Sequence, residues 1–210
     1  MRFFPWAIGL ILAGLGPLKQ SQGNTSSLPE EAIPTFVNAL FPEPPSSFDP
    51  IDAQLHQNYL MMAACYARPL ELDKLNRYRS SVLESFVYLD QTQTIKFYLK
   101  RNNFFSDGSP LTLDDLAFSI ARTAYFFPDL KHLSPITGLR EWLKLPHPLL
   151  HYPQGFTLDR QSNCLSIHYD VSLTNPFFFF LMYINGIIPK NSVDARTGKL
   201  KIPVPPFSGA

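Results

Sequence analysis

The chain has 210 residues, enough for one large or two small domains, with 45 % hydrophobic and 17 % charged residues. Eighteen Lys and Arg face seventeen Asp and Glu, so the formal charge is +1 and no basic excess exists to bind a phosphate backbone. Aromatic content of 14 % argues against disorder, and 20 prolines argue against an all-helical bundle, because helix interiors reject proline.

Arg2 and the uncharged residues 3–18 form a short positive start followed by an apolar run, broken by Pro5, Gly9, Gly14, Gly16 and Pro17. That run is shorter than the roughly 20 residues a spanning helix needs. With Ser21-Gln22-Gly23 behind it, it reads as a secretory signal over residues 1–23, cleaved after Gly23. An uncleaved membrane anchor is the alternative. No Cys lies near the end of the run, so lipid attachment there is excluded, and the expected mature protein is exported and soluble.

Residues 24–34 are polar and read as a flexible leader, and residues 35–40 as a short buried strand. The proline-rich stretch 41–50 forbids regular structure. Residues 59–67 are apolar all round and predict a buried helix. Residues 82–89, nearly all apolar or aromatic, pair through Asp90-Gln91-Thr92-Gln93 with a strand in which Ile95, Phe97 and Leu99 alternate with polar positions. Asp107-Gly108 makes a turn. Thr112 and Asp115 have the spacing of a capping pair, and Asp114 adds charge that the helix dipole favours. Leu113, Leu116, Ala117, Ile120, Ala121 and Ala124 follow at helical spacing and predict one stripe packed on the sheet. Leu165, Ile167 and Tyr169 alternate as another strand, and Asn175-Pro176 opens a short helix over residues 177–183. Strands and helices are intermixed, so the fold class is α/β or mixed α+β.

Catalytic signals are thin. No G-x-S-x-G elbow, phosphate loop or H-E-x-x-H helix occurs, and the expectation is a protein that is not an enzyme, with no cofactor and no metal. His147 and His151 have metal-pair spacing, but Pro146 and Pro148 favour a surface loop. His56, His132 and His168 stand alone. Asp114 and Asp115 are adjacent, so on a helix they point different ways, and capping accounts for them. Cys65 and Cys164 can pair in an oxidising compartment, but each sits in apolar surroundings and reads better as a buried thiol.

The order of segments resembles family 5 of the bacterial extracellular solute-binding proteins. Residues 94–115 carry the resemblance most strongly, through Lys96-Phe97 and then Phe105-Ser106-Asp107-Gly108-Ser109-Pro110-Leu111-Thr112 with Asp115. Weaker matches follow the same order: Ser47-Phe48-Asp49-Pro50, Arg68-Pro69-Leu70 with Asp73, Ile136-Thr137-Gly138-Leu139, and Pro189-Lys190. Arg68 departs from the resemblance, standing where an acidic residue is usual. Pro206-Phe207-Ser208-Gly209-Ala210 resembles the start of a turn whose remaining Gly-Pro-Tyr is absent.

The resemblance implies that residues 35–210 are an incomplete N-terminal lobe of a two-lobed type II periplasmic binding protein. It implies the periplasmic substrate-binding component of a peptide ABC transporter, here truncated through an interrupted reading frame or a cut sequence. The implied partners are a peptide or other small solute and the membrane subunits of an importer, with the binding protein a monomer and no nucleic acid involved. Glu43, Tyr183 and Asn185 are the implied ligand-binding residues, Glu43 as a carboxylate for a peptide amino terminus. The competing readings are a secreted enzyme with an unrecognised site, a sensory module, and a fragment without function.

Overall fold

A computed structural model describes residues 7–11, 36–40, 47–52, 56–129, 135–202 and 205–208. The chain divides into two units, residues 1–45 and 46–210. In the first, β1 (Ala7–Ile11) pairs antiparallel with β2 (Phe36–Leu40), Ile11 opposite Phe36. β2 is the strand expected over residues 35–40; β1 lies inside the run read as a signal. The expected cleavage site and the leader at residues 24–34 lie outside the described residues.

The second unit is built on a four-stranded antiparallel sheet in the order β5-β6-β8-β7. Its hairpin of β5 (Leu83–Leu89) and β6 (Thr94–Leu99) is the one the alternation predicts. Asp90–Thr92 forms a 3-10 turn, and Gln93 takes the left-handed conformation that returns the chain. Ile95, Phe97 and Leu99 are all but fully buried, opposite Ile167 and Leu165 on β8 (Cys164–His168). One β-bulge decides how β5 contributes. Leu83 opposes Leu99, but the register shifts before Ser85, so Phe86 and Tyr88 face Phe97 and Ile95. The extra residue is Glu84, which strict alternation would have pointed into the core with Phe86.

β7 (Phe156–Asp159) closes the sheet beside β8 and was not evident in the sequence. Its turn is fixed by Asp159, which accepts from the amides of Gln161 and Ser162 and from the Ser162 hydroxyl. Those bonds, the Ser162 hydroxyl first, hold its carboxyl below the usual range. A small hairpin, β3 (Glu71–Leu72) with β4 (Tyr78–Arg79), turns on Asp73, whose Oδ1 accepts from the amides of Leu75 and Arg77. In the last turn of α1 (His56–Cys65), Met61, Met62 and Cys65 are buried while Ala63 and Ala64 are exposed, so that turn is not buried all round. α3 (Leu139–Leu143) starts after Gly138, at φ +70°, and α4 (Phe178–Met182) falls within the predicted short helix. Cys65 and Cys164 are both buried and free.

α2 (Leu113–Phe126) is the central element, and its capping box forms as predicted. The Asp115 amide donates to Thr112 Oγ1 at 3.3 Å while the Thr112 amide donates to Asp115 Oδ2 at 2.8 Å. The predicted stripe is buried, with Leu116, Ile120 and Ala124 at zero exposure. A single stripe is nevertheless too little. From Leu113 to Ala124 every residue except Asp114 is buried, including Ser119, Arg122 and Thr123. The face opposite the sheet is covered by chain from residues 49, 188 and 198.

Thr112→Ala should therefore cost about 1 kcal/mol, and Leu116→Ala roughly 2–5 kcal/mol through the cavity it leaves. Urea unfolding of both variants checks this. A midpoint more sensitive to the cap than to Leu116 would contradict the packing described.

Candidate functional site

The scattered short motifs of the sequence converge on one place, the C-terminal end of α1. Tyr66, 2 % exposed, donates from its hydroxyl to the Phe48 carbonyl at 2.9 Å and meets the Phe207 ring edge-on at 5.4 Å. Burial, with smaller contributions from Cys65 and Asp49, pushes its hydroxyl far above the ordinary range, so it stays a donor. The Ala67 amide donates to Ser208 Oγ, and the Ile187 amide donates to the Ala67 carbonyl at 3.0 Å. Phe207 is in turn tied to the Asp107-Gly108 turn. The Ser106 amide donates to its carbonyl at 2.7 Å, and its own amide donates to Ser106 Oγ at 2.9 Å. Within that turn Asp107 accepts from the Ser109 hydroxyl and amide, which lowers its carboxyl, and Gly108 sits at φ +81°.

Residues 183–190 thread between this cluster and α2. Two of its backbone donors meet side chains of that helix: Ile188 donates to Ser119 Oγ at 3.1 Å, and Lys190 to Asp115 Oδ1 at 2.8 Å. Asp115 thus closes the helix cap with one oxygen and holds the Pro189-Lys190 segment with the other. Gly186 is required by close approach, since a Cβ there would stand 2.7 Å from Tyr66 Cβ and 2.9 Å from Pro50 Cγ. Asp49, from the Ser47-Phe48-Asp49-Pro50 match, accepts both terminal nitrogens of Arg122 at 2.6 Å. Sequence reasoning passed over Arg122; the signal available was a charge among apolar positions of a predicted helix.

Of the three implied ligand-binding residues, Glu43 lies outside the described residues. Tyr183 and Asn185 are brought together on residues 183–190. Tyr183 is half-buried, its ring stacked on Phe179 at 5.7 Å. Asn185 is also half-buried, but its Oδ1 is shielded and accepts no hydrogen bond. Such an acceptor costs about 1–3 kcal/mol until a donor reaches it.

The remaining candidates do not join this place. His147 and His151 flank a 3-10 turn, Pro148–Leu150, and both are exposed. His168, exposed, pairs with the buried Thr94 on the neighbouring strand, Nδ1 to Oγ1 at 2.9 Å. Thr94 donates its only hydroxyl proton to the Thr92 carbonyl, so it is His168 Nδ1 that donates to Thr94. His56 begins α1, and His132 lies outside the described residues. Asp114 and Asp115 diverge as expected, Asp114 toward Arg160 at 2.9 Å and Asp115 inward. Among the described residues no three His, Cys, Asp or Glu come together to hold a metal, and no helix is long and apolar enough to cross a membrane.

Gly186→Ala should destabilise the chain by about 1–3 kcal/mol, because Tyr66 and Pro50 must both move. The thermal midpoint checks this, and an unchanged midpoint would mean that residues 183–190 do not press on Tyr66.

The sequence matches no protein-family model and no curated protein sequence. Solved structures do match. Haemophilus influenzae OppA, crystallised with the peptide RPPGFSPFR, superposes with a TM-score of 0.57 at 16 % identity, over 70 % of this chain and 29 % of that one. The Escherichia coli murein tripeptide binding protein MppA gives 0.56 at 19 % identity, over 71 % and 30 %. The binding protein AgaA of A. tumefaciens R10, complexed with agropinic acid, gives 0.54 at 14 % identity, over 70 % and 27 %. The chain thus spans less than a third of the length of the structures it matches. At these identities the likeness is one of fold, and that fold is part of a lobe of a type II periplasmic binding protein.

Proposed function

We propose that the chain is part of the substrate-binding component of an ABC importer, taking a peptide or a similar small solute, and that it is not an enzyme. The observation that supports this best is the shared fold: the matching structures are binding proteins, one named for a tripeptide and one crystallised with a peptide. AgaA, with agropinic acid, shows that the fold also serves other small solutes. Tyr183 and Asn185 would face the ligand, with the shielded Asn185 Oδ1 receiving a donor, and Glu43 would meet a peptide amino terminus. The importer's membrane subunits are the proposed partner, and the binding protein acts as a monomer. The apolar run at residues 3–18 supports export to the periplasm, and cleavage after Gly23 would separate β1 from β2.

In such proteins two lobes close on the ligand, and the exclusion of water is what makes main-chain hydrogen bonds strong. On an open wall each bond is exchanged against water and contributes only about 0.5–1.5 kcal/mol. A few of these scarcely offset the immobilisation of a peptide, and micromolar binding needs about −8 kcal/mol. The 210-residue chain by itself should therefore show no thermal shift with saturating di- and tripeptide mixtures. Ligand at 100 times its dissociation constant would add about 2.7 kcal/mol. A clear upward shift would overturn the reading that this chain is one wall of a larger site.

A further inference from the structure

A separate hollow shares only Lys190 with the segment that crosses α2. The 3-10 turn Lys190–Ser192 leads into a tight hairpin in which Val193 bridges to Leu200. The Asp194 amide donates to the Lys199 carbonyl at 2.9 Å, and the Gly198 amide to the Asp194 carbonyl at 2.7 Å. Gly198 sits at φ +74°, and the Lys201 amide donates to the Ser192 carbonyl at 2.8 Å. Between this hairpin and Leu150 is a cavity of about 480 Å³. Its walls carry two kinds of group. Leu150 and Ala195 supply apolar surface over the buried Val193, and Lys190, Arg196 and Lys201 bring three cations.

Within the lining the cations outnumber the carboxylates. Lys190 Nζ lies 4.9 Å from the centre of the Tyr152 ring and donates to the Tyr152 hydroxyl at 3.3 Å. Lys201 Nζ donates to the Asn191 carbonyl at 3.0 Å. Both are thus positioned by neutral oxygens. Asp194 is the one carboxylate in the lining, and its Oδ1 accepts from the Arg196 amide at 2.9 Å. None of the ion pairs formed among the described residues involves Lys190, Arg196 or Lys201. Three cations against one carboxylate around a concave apolar floor focus a positive potential into the hollow.

We propose that this cavity binds a small organic carboxylate bearing an aliphatic group. The carboxylate meets Lys190, Arg196 and Lys201, and the aliphatic part rests on Leu150 and Ala195. A free acid and the C-terminus of a peptide present the same chemistry. The inference does not rest on the importer reading. A peptide held here would also raise the thermal midpoint, so the peptide melting test is read on the chain carrying Arg196→Gln and Lys201→Gln, and either reading can then fail without the other.

The test is a titration of the ¹⁵N-labelled 210-residue chain, followed by amide shifts. The probes are N-acetylleucine, a longer N-acetylated peptide ending in leucine, N-acetylleucinamide and inorganic phosphate. Saturable shifts confined to residues 150 and 190–201 are expected with one or both carboxylates, and which of them binds identifies the source. Arg196→Gln with Lys201→Gln should weaken binding about tenfold, and Lys201→Arg should retain it, while the spectrum elsewhere is unchanged. Equal binding of the amide would overturn the role of the cations. Equal binding of phosphate would overturn the role of the apolar floor. No saturable shift with either carboxylate would overturn the site.

Discussion

Arg122 is the charge on which the larger unit is organised. Its guanidinium is 2 % exposed on the central helix, and such a charge survives burial only when its donors are filled. Asp49 accepts from both terminal nitrogens at 2.6 Å, the Gly198 carbonyl accepts from Nε at 2.7 Å, and the Phe126 ring lies 5.4 Å away. Three remote parts of the chain are drawn together by that one requirement. Asp49 fixes the segment that runs into α1, α2 supplies the cation, and Gly198 ties down the hairpin of residues 193–200. Around the same helix Asp115 and Ser119 anchor residues 188–190, so the polar side of α2 acts as a frame for loops.

That frame explains which parts of the fold were legible in the sequence. Alternation disclosed β6 and β8, and the Thr112–Asp115 spacing disclosed the start of α2, because those signals are local. Ser119, Arg122 and Thr123 follow helical spacing and look like an ordinary solvent-facing stripe beside the apolar one. Ser119 and Arg122 are satisfied by distant chain, a fact no local window contains, while Thr123 donates to the Ser119 carbonyl one turn back. β5 hid a second non-local feature, the bulge at Glu84 that keeps a carboxylate out of the core. β7 was missed because four residues, FTLD, give too short an alternation to stand out.

The short motifs behaved differently. Taken singly, Ser47-Phe48-Asp49-Pro50, Asp107-Gly108, Pro189-Lys190 and Pro206-Phe207-Ser208 are weak signals. The structure brings them around Tyr66 and α2 through backbone hydrogen bonds, so their common order along the chain reflects a packing constraint. Their chemistry is structural: they cap, turn and tether. Among the solved structures of similar fold, one holds a peptide and another agropinic acid.

The most direct test of the account is a double-mutant cycle on Asp49 and Arg122. Asp49→Ala alone leaves a buried guanidinium without its counter-ion and should cost about 3–5 kcal/mol in urea unfolding. Arg122→Met in the Asp49→Ala background should recover much of that loss, giving a strongly non-additive cycle. Additive losses, or a cost for Asp49→Ala within the range of a surface substitution, would contradict the claim that this buried pair organises the fold.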